Sequence, residues 1–595
     1  MKREAVLHIP MSNYAHGIDE KHVLFRLRVA RGDLKSCYLH YGDRACRITP
    51  VIFSSAEMKI IAQDELFDYY EVILESPYMR VCYYFELKDG FETILYYSDL
   101  FHLDTVNDRS DYYQFPYNRR EDIADIPDWT KDAIIYNIFP DSFATSYRYI
   151  SNKGKEVMHG DNITRGKLGG TIQGITQNLD YLLKLGINCI YINPFFVAGE
   201  YHKYDLIDYF HVDPCFGTDE EFKQMVQVYH ENHVRVIIDG VFNHCGWNFF
   251  AFCDAAEKGE ESCYKDWFYR LSFPVIKPDN MEDIPNYECF GYERLMPKMN
   301  TSNPEVVEYF CKVCSYWLTE FDVDGWRLDV ASEINDDFWR DFKKTAKKAK
   351  PDCFLIGEVW EAAAHWLAGD QFDSSMNYDF RKNCKEFFAL QSIDAFEFDG
   401  RVTQMRMRYR KNILYGQLNL LDSHDVSRFL SLCQGDLERF KLAILFQMTF
   451  IGPPSIFYGD EQQIAGLKED QYRSPMRWEE DNEMFPFYQK AIALRKEYEV
   501  LRRGDFRTIN AGKDNRLYIF ERYLGNEHLM IGLNTGTEEA EWNISMTDKE
   551  LVWQSGYCGT KLSCYGFIIT REKCEGNTSS QTESENIIQL GRTLK

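Results

Sequence analysis

Residues 303–331, NPEVVEYFCKVCSYWLTEFDVDGWRLDVA, contain one complete helix-and-strand unit and decide the fold class. In the first half, apolar residues recur at spacings of three and four, as on the buried face of a helix. These residues are Val306, Phe310, Val313, Trp317 and Phe321. The short run GWRLDVA follows and indicates a strand. Repetition of this unit is typical of α/β proteins with a parallel sheet.

The same alternation of strands and helices extends to both sides of this stretch. Further apolar strands are predicted at IIYNIFP, CIYINPF, RVIIDGVFNH, FLIGEVW, LYGQLNLLDSHD and SIFYGDE, most of them followed by a helical pattern. Repeated units of this kind favour a closed (β/α)₈ TIM barrel over a doubly wound open sheet. The aromatic-rich stretch at about 245–302 is too long for a simple connection and is interpreted as an inserted subdomain.

Short β-rich runs lie on both sides of the barrel. AVLHIP, HVLFRLRVA, SCYLHYG, YYEVILES and MRVCYYFEL predict an N-terminal β-sandwich, and RLYIFERYL, HLMIGLNTG, LVWQSGY and SCYGFIIT predict a C-terminal one. We therefore expect a multidomain α/β protein. The predicted parts are a sandwich at 1–115, a linker at 116–130, the barrel at 131–505, a second sandwich at 506–573 and a disordered polar tail at 574–595.

The composition limits the partners and the compartment. The 595 residues carry a formal net charge of -25 with no basic patch, which argues against nucleic acid and anionic membranes and favours a neutral ligand. No apolar run reaches the length of about 18 residues that a membrane span needs, and the N-terminus lacks the pattern of a signal peptide. The 17 cysteines form no disulfide framework. These features predict a cytoplasmic protein.

Polar side chains cluster where the predicted barrel strands end. Single members have ordinary explanations, such as helix capping for an Asp or a structural role for a His. Together, four carboxylates, two His, an Arg and an Asn at successive strand ends indicate a functional site, because the catalytic face of a barrel collects these ends. The residues are Asp239, Asn243, His244, Arg327, Asp329, Glu358, His424 and Asp425.

The carboxylates favour cleavage of a glycosidic bond, which needs a proton donor and a second carboxylate as nucleophile or base. Arg327 precedes Asp329 by two residues, so both point to one face of a strand, and the guanidinium favours the ionised nucleophile. Glu358 lies between FLIG and Val359, an apolar setting that suits a proton donor. Zinc catalysis and phosphate transfer are disfavoured, because the chain has neither HExxH nor a GxxxxGK loop.

These residues lie in stretches that resemble the α-amylase family, glycoside hydrolase family thirteen. DGVFNH, GWRLDVASE, GEVW and LLDSHD are similar to the four family motifs in order. MPKMN at 296–300 resembles the marker of the neopullulanase, cyclomaltodextrinase and maltogenic amylase group. HKYDLIDYFHVDPCFGT and GPPSIFYGDE match flanking motifs, so the resemblance covers nearly the whole chain.

The resemblance implies specific roles and partners. It implies Asp329 as nucleophile, Glu358 as general acid/base and Asp425 as transition-state stabiliser. It also implies sugar-binding positions at His202, Tyr204, Asp239, His244, Arg327, Trp360, His424 and Arg473. The implied substrates are α-1,4-linked maltooligosaccharides and cyclodextrins, with pullulan as a further candidate, and the implied assembly is a homodimer.

The chain also departs from the pattern of the group. The usual calcium loop NGDxxND, later followed by GGD, is replaced by ATSYRYISNKGKEVMHGDNITRGKLGGT, with Thr171 at the position of the last Asp. We therefore expect no metal or other cofactor. Ser332 and Asp422 replace the usual Asn and Gly of the second and fourth motifs.

Two alternatives to a hydrolase stay open. A glucanotransferase would use the same covalent intermediate and differ in whether a sugar or water reaches it. A non-catalytic glucan-binding protein on a retired barrel is disfavoured, because all three carboxylates are present with their orienting Arg and His.

Overall fold

The structure is a computed structural model that describes residues 1–76, 78–106, 108–145, 168–280, 282–479 and 482–572. The predicted tail at 574–595 lies outside the described residues. The chain divides into two compact units. One comprises Met1–Asp125, Ser392–Leu414 and the chain from Gly504, and the other comprises Ile126–Gln391 and Tyr415–Arg503.

The N-terminal module is all β, as predicted. Its strands are β1 (Ala15–Gly17), β2 (His22–Ala30), β3 (Ser36–Asp43), β4 (Ser54–Gln63), β5 (Phe67–Glu75), β6 (Val81–Lys88), β7 (Thr93–Tyr97), β8 (Leu100–His102) and β9 (Tyr113–Phe115). The strand β4 pairs first with β3 and then with β5, so it passes from one sheet to the other. The strand predicted from AVLHIP is wrong, because this segment has a single bridge between Leu7 and Arg28.

The second unit contains the predicted barrel. Its strands are β10 (Ile135–Ile138), β11 (Cys189–Ile192), β12 (Arg235–Gly240), β13 (Cys289–Phe290), β14 (Glu293–Pro297), β15 (Gly325–Leu328), β16 (Phe354–Gly357), β17 (Ser374–Ser375), β18 (Asn419–Leu420) and β19 (Pro454–Phe457). Eight of them form a parallel sheet in the order β17-β16-β15-β12-β11-β10-β19-β18. A parallel bridge between Met376 and Leu418 joins the two end strands and closes the barrel.

Helices follow most of the barrel strands. They are Pro140–Phe143, Ile172–Gln177, Leu179–Leu185, Asp219–Glu231, Phe250–Lys258, Pro304–Glu320, Asp336–Ala349, Tyr378–Cys384, Phe429–Leu432, Leu437–Thr449, Glu469–Tyr472, Met484–Glu497 and Val500–Arg503. Asn303 caps Pro304–Glu320, since its side chain accepts the amide of Glu305 at 2.8 Å. The predicted apolar face of this helix is buried, which confirms the pattern in the opening stretch. Among the described residues, no helix combines the length and hydropathy needed for a membrane crossing.

The interior of the barrel is a packed apolar core. Ile135, Tyr191, Ile237, Phe354 and Ile356 belong to one buried cluster. The stretch predicted as an inserted subdomain contains the helix Phe250–Lys258 and the antiparallel hairpin of β13 and β14. This core leaves the carboxyl ends of the strands free to carry polar groups.

The C-terminal module and one internal helical segment complete the first unit. The strands are β20 (Asp505–Ala511), β21 (Leu517–Leu524), β22 (Glu527–Asn534), β23 (Ala540–Glu541), β24 (Lys549–Tyr557) and β25 (Lys561–Glu572), all in one sheet. The helical segment, Ala395–Met407 and Lys411–Leu414, lies within the predicted barrel range but groups with the β modules. Its Asp399 accepts hydrogen bonds from Thr508 at 2.5 Å and Tyr518 at 2.9 Å.

Candidate active site

The predicted carboxylates lie at the carboxyl ends of neighbouring barrel strands. Asp239 lies in β12, Arg327 in β15, Asp329 directly after β15 and Glu358 directly after β16. Asp425 follows β18. Because parallel strands end on the same face of a barrel, residues from distant parts of the sequence meet here.

Arg327 lies at the centre of these carboxylates. Its Nη1 is 2.9 Å from Asp239 Oδ1 and 2.8 Å from Asp329 Oδ1. Its Nη2 is 2.8 Å from Glu358 Oε1 and 3.8 Å from Asp425 Oδ2. The Arg327 side chain is 1% exposed, so one buried guanidinium holds four carboxylates within a small volume. Such a concentration of buried charge is typical of active sites.

Glu358 is held on both carboxyl oxygens. Oε2 accepts the backbone amide of Val330 at 2.9 Å, and Oε1 accepts the indole N–H of Trp360 at 3.2 Å. Trp360 is 51% exposed and stacks on Tyr378, with ring centroids 4.0 Å apart and planes at 8°. A half-exposed indole beside Glu358 provides a flat apolar surface at the rim of the site.

His424 links Asp425 to the neighbouring strands. The Asn193 amide nitrogen is 2.9 Å from Nδ1, so it donates to this atom and the imidazole proton is on Nε2. Nε2 lies 2.8 Å from Asp425 Oδ2 and 2.5 Å from the Tyr204 hydroxyl. The Tyr204 ring is stacked parallel to the His424 ring, at 8° and 5.7 Å between centroids.

Asp239 supports the site from below. It accepts hydrogen bonds from Tyr191 at 2.5 Å and from Tyr204 at 3.1 Å, in addition to its contacts with Arg327. Asp239 is fully buried. Its contacts fix the guanidinium and the Tyr204 ring at the same time, so its main action is to position other side chains.

Arg473 contacts one carboxyl oxygen of Asp425, and Arg327 lies nearer to the other. Arg473 Nη2 donates to Asp425 Oδ1 at 3.2 Å, its Nη1 donates to Glu469 at 2.6 Å and to Tyr201 at 2.9 Å, and its Nε donates to the His424 carbonyl at 2.8 Å. Asp425 thus has cations on two sides and a histidine on the third.

The two remaining predicted histidines are His202 and His244. His202 Nδ1 accepts the backbone amide of Tyr204 at 3.1 Å, and burial lowers its pKa to about 4. His244 stacks on Phe290 of the hairpin, with centroids 4.7 Å apart, and burial followed by Lys298 lowers its pKa to about 3. Both rings are therefore neutral at pH 7 and offer hydrogen bonds without adding charge.

Burial and the neighbouring charges shift the pKa values of Asp329 and Asp425 in opposite directions. Burial raises the pKa of Asp329 well above its usual range; Arg327 opposes this, while Glu358 and Asp239 add to it. The sequence analysis considered only the effect of Arg327 on the ionisation of Asp329. The other carboxylates lie on different strands, so their distance from Asp329 could not be known. Burial would also raise the pKa of Asp425, but His424, Arg473 and Arg327 outweigh it and hold that pKa below the usual range. Asp425 is therefore ionised.

Several contributing residues were missed by the sequence analysis. Tyr191 lies in β11, and Asn193 directly follows the end of that strand. The Tyr378 ring stacks on Trp360. The polar Asn193 at the end of the apolar run CIYI was a usable signal, of the same kind as Asp239. Val330 and Phe290 act through a backbone amide and a ring stack, for which the sequence has no pattern.

The residues that could bind a metal lie elsewhere. Within the described ranges, the group with metal-ligand spacing is Glu521, His528 and Glu572, on the C-terminal sheet. Arg507 already contacts Glu521, and Lys549 lies 3.3 Å from Glu572. The stretch compared with a calcium loop falls mostly at 146–167, outside the described residues. Thr171 caps the helix Ile172–Gln177, since its hydroxyl accepts the Gly174 amide at 3.0 Å.

Comparisons with known proteins agree with this architecture. Residues 137–482 match the model described as alpha amylase, catalytic domain, and residues 1–119 match alpha amylase, N-terminal ig-like domain. The chain is 38% identical over 586 residues to a cyclomaltodextrinase of Geobacillus thermopakistaniensis (strain MAS1), which covers 96% of this chain and 99% of that protein. It is 40% identical over 545 residues to neopullulanase 2 of Thermoactinomyces vulgaris, covering 91% and 92%. A solved cyclomaltodextrinase structure has a TM-score of 0.87 at 35% identity and covers 96% of this chain and 100% of that one. The chain belongs to the α-amylase family.

Proposed function

We propose that the protein is a retaining α-glucan hydrolase that cleaves α-1,4-glucosidic bonds of maltooligosaccharides and cyclodextrins, with pullulan as a further candidate. One observation carries this proposal: a single buried guanidinium, Arg327, lies 2.8 Å from both Asp329 and Glu358 at the ends of adjacent strands. Retaining glycosidases need two carboxyl groups about 5–5.5 Å apart, and groups that share one guanidinium fit that requirement.

In the first step, Asp329 is the nucleophile and Glu358 is the acid. An Asp329 oxygen attacks the anomeric carbon, and Glu358 gives its proton to the glycosidic oxygen as the C–O bond breaks. Burial raises the pKa of Asp329, while Arg327 opposes this effect and favours the ionised carboxylate that attacks. The products are a released sugar and a glycosyl ester on Asp329.

In the second step, Glu358 changes from acid to base. It takes a proton from water, the water oxygen attacks the anomeric carbon, and the ester to Asp329 breaks. The carboxylate of Asp329 is thereby restored beside Arg327, which stabilises the charge that returns to it. The overall stereochemistry at the anomeric carbon is retained.

The side chains around the triad hold the sugar at the cleavage point. Asp425 is ionised and faces the same volume as Asp329, so it suits the role of stabilising positive charge on the flattened ring. The Tyr204 ring provides a surface on which a pyranose can stack, and His424 and Arg473 hold Asp425 in place.

Transfer to a second sugar is the candidate side reaction. Trp360 donates to Glu358 and exposes half of its surface, so it can stack an acceptor sugar where the attacking water would otherwise lie. This arrangement supports a glucanotransferase activity that competes with hydrolysis on the same intermediate.

A homodimer, independence of calcium and a cytoplasmic location are further proposals. Large apolar side chains on the N-terminal module support the dimer, since Phe91 is 99%, Leu103 81% and Ile52 70% exposed. None of the sixteen described cysteines forms a disulfide, which fits a reducing compartment. Sedimentation at micromolar concentration tests the dimer, and a monomer there would contradict it.

Product analysis tests the main proposal. Purified protein is incubated separately with maltoheptaose, β-cyclodextrin, pullulan and soluble starch, and Asp329→Asn is the matched control. We expect rapid attack on maltoheptaose and cyclodextrin, slower attack on starch and no turnover by Asp329→Asn. Products longer than maltoheptaose would favour the glucanotransferase. Failure to cleave any of the four substrates would contradict the proposal.

A further inference from the structure

The hydrogen-bond ladder between β15 and β16 slips by one residue next to Asp329. Leu328 is paired with Gly357, and the Glu358 amide donates to the Leu328 carbonyl at 2.9 Å. In a regular parallel ladder, the next hydrogen bond would run from the Val330 amide to the Glu358 carbonyl. Instead the Ala331 amide donates to the Glu358 carbonyl, at 3.2 Å. The amide of Val330 is thereby released from the ladder.

A left-handed backbone turn produces the slip. Val330 has φ 46° and ψ 42°. Among the described non-glycine residues with positive φ, it is the one with a β-branched side chain, for which this conformation is unfavourable. Strained residues of this kind persist where the surrounding structure enforces them, and they are concentrated at functional sites.

The released amide points at Glu358. Its N–H donates to Oε2 at 2.9 Å, while Arg327 and Trp360 contact Oε1. The carboxyl group therefore has donors on both oxygens, and the amide is the donor that comes from rigid main chain next to Asp329. The plane of the carboxyl group is fixed relative to the neighbouring carboxylate.

We propose that Val330 is a positioning residue for general acid catalysis: its released backbone amide holds the Glu358 carboxyl group in the orientation that delivers a proton to the glycosidic oxygen. This inference rests on the proposed role of Glu358. The effective group is the N–H of residue 330, and the left-handed turn is what directs it. The valine side chain itself is not required.

Leaving-group dependence distinguishes positioning of the acid from a general structural role. A sugar leaves as a poor alkoxide and needs the proton, whereas fluoride leaves without one. General acid catalysis contributes roughly 10²–10⁴-fold, so losing the orientation of the acid should reduce kcat/KM for maltoheptaose by about 10-fold or more. The kcat/KM for α-maltosyl fluoride should fall by less than about threefold, because kcat/KM reports the first step and fluoride leaves in that step without the acid.

The experiment replaces one N–H and compares both substrates. Val330 is replaced by its α-hydroxy analogue, which keeps the side chain and exchanges the amide for an ester. The same exchange at Val307, whose amide donates to the Asn303 carbonyl at 3.0 Å in the helix Pro304–Glu320, is the matched control. We expect the Val330 ester variant to lose activity on maltoheptaose selectively, and the Val307 ester variant to stay within about threefold of the wild type on both substrates.

Equal losses of the ester variant on both substrates, or no loss on either, would overturn the role of the amide. If the ester variant does not fold, Val330→Gly is the second variant, because it keeps the N–H but loosens the turn that directs it. A selective loss on maltoheptaose in Val330→Gly supports the role of the amide, and an equal loss on both substrates or no loss overturns it. Glu358→Gln separates this inference from the proposed function. A selective loss on maltoheptaose in Glu358→Gln supports the acid role of Glu358. If Glu358→Gln shows no selective loss, the proposed role of Glu358 is wrong, independently of the role of Val330.

Discussion

Replacement of Arg327 by Lys tests whether one guanidinium organises the site. The two 2.8 Å contacts to Asp329 and Glu358 come from different nitrogens, Nη1 and Nη2. A Lys ammonium is a single point charge and cannot reproduce this fork. At least one carboxylate is then left without its charged partner in a buried volume.

The expected loss follows from the number of contacts. A hydrogen bond to a charged group contributes about 1.5–3 kcal/mol, so losing both contacts costs about 3–6 kcal/mol. At about 1.4 kcal/mol for each factor of ten, kcat/KM for maltoheptaose should fall about 10²–10⁴-fold. Removing one partner of a buried pair also costs about 3–5 kcal/mol of folding stability, which urea unfolding measures.

Arg340→Lys is the matched control. Arg340 also contacts several carboxylates, with Asp370 at 2.7 Å and Asp337 at 2.9 Å, but its side chain is 37% exposed. Water screens such exposed pairs and they contribute little, so this variant should resemble the wild type. A kcat/KM for Arg327→Lys within about fivefold of the wild type would refute the reasoning, since that corresponds to about 1 kcal/mol.

Three further predictions concern the rim, the pH dependence and the metal. Trp360→Ala removes the stack on Tyr378 and should change the melting temperature little. It should raise the KM for the acceptor sugar about 3- to 10-fold and lower the yield of long products. Unchanged product lengths would contradict the acceptor role of Trp360. Asp460 is a buried residue after β19, 3.0 Å from Arg428. Burial and Asp422 raise its pKa, and Arg428 opposes them without reversing the direction. The stabilising contribution of Asp460 is therefore full below about pH 4 and is lost as pH rises through the folded pKa. The melting temperature of Asp460→Asn relative to the wild type should therefore increase with pH, and a constant difference from pH 5 to 9 would argue against this. A chelator should shift the melting temperature by less than about 2 °C, and a larger fall would show a bound metal.

The sequence predicted most barrel strands because their apolar runs are long and end in polar residues. It missed β17, since Ser374–Ser375 has no apolar run and its position is fixed by backbone pairing with β16. It wrongly predicted a strand at AVLHIP. There His8 is buried instead, and its ring nitrogens contact the Arg26 carbonyl and the Tyr83 hydroxyl, each at 2.8 Å. Tertiary contacts decided both cases.

The sequence analysis could predict those parts of the candidate site in which the functional group is a side chain of a recognisable type. The eleven predicted site residues were chosen as charged, imidazole or aromatic side chains, and the structure brings Asp239, Arg327, Asp329, Glu358 and Asp425 together around one guanidinium. The electrostatic effect of one carboxylate on another was not predictable, because it depends on distances between separate strands. Backbone donors such as the Val330 amide leave no trace in residue type.

The first compact unit is built from stretches that are made at very different times on the ribosome. Its nine N-terminal strands emerge first, but the Met407 carbonyl, which accepts Arg26 Nη1 at 3.2 Å, is synthesised after six barrel strands. The strands β20–β25 follow the whole barrel. The nascent N-terminal module therefore exposes surfaces whose partners do not yet exist. A fragment that stops at residue 125 would retain that incomplete state permanently, so it is a poor candidate for separate expression.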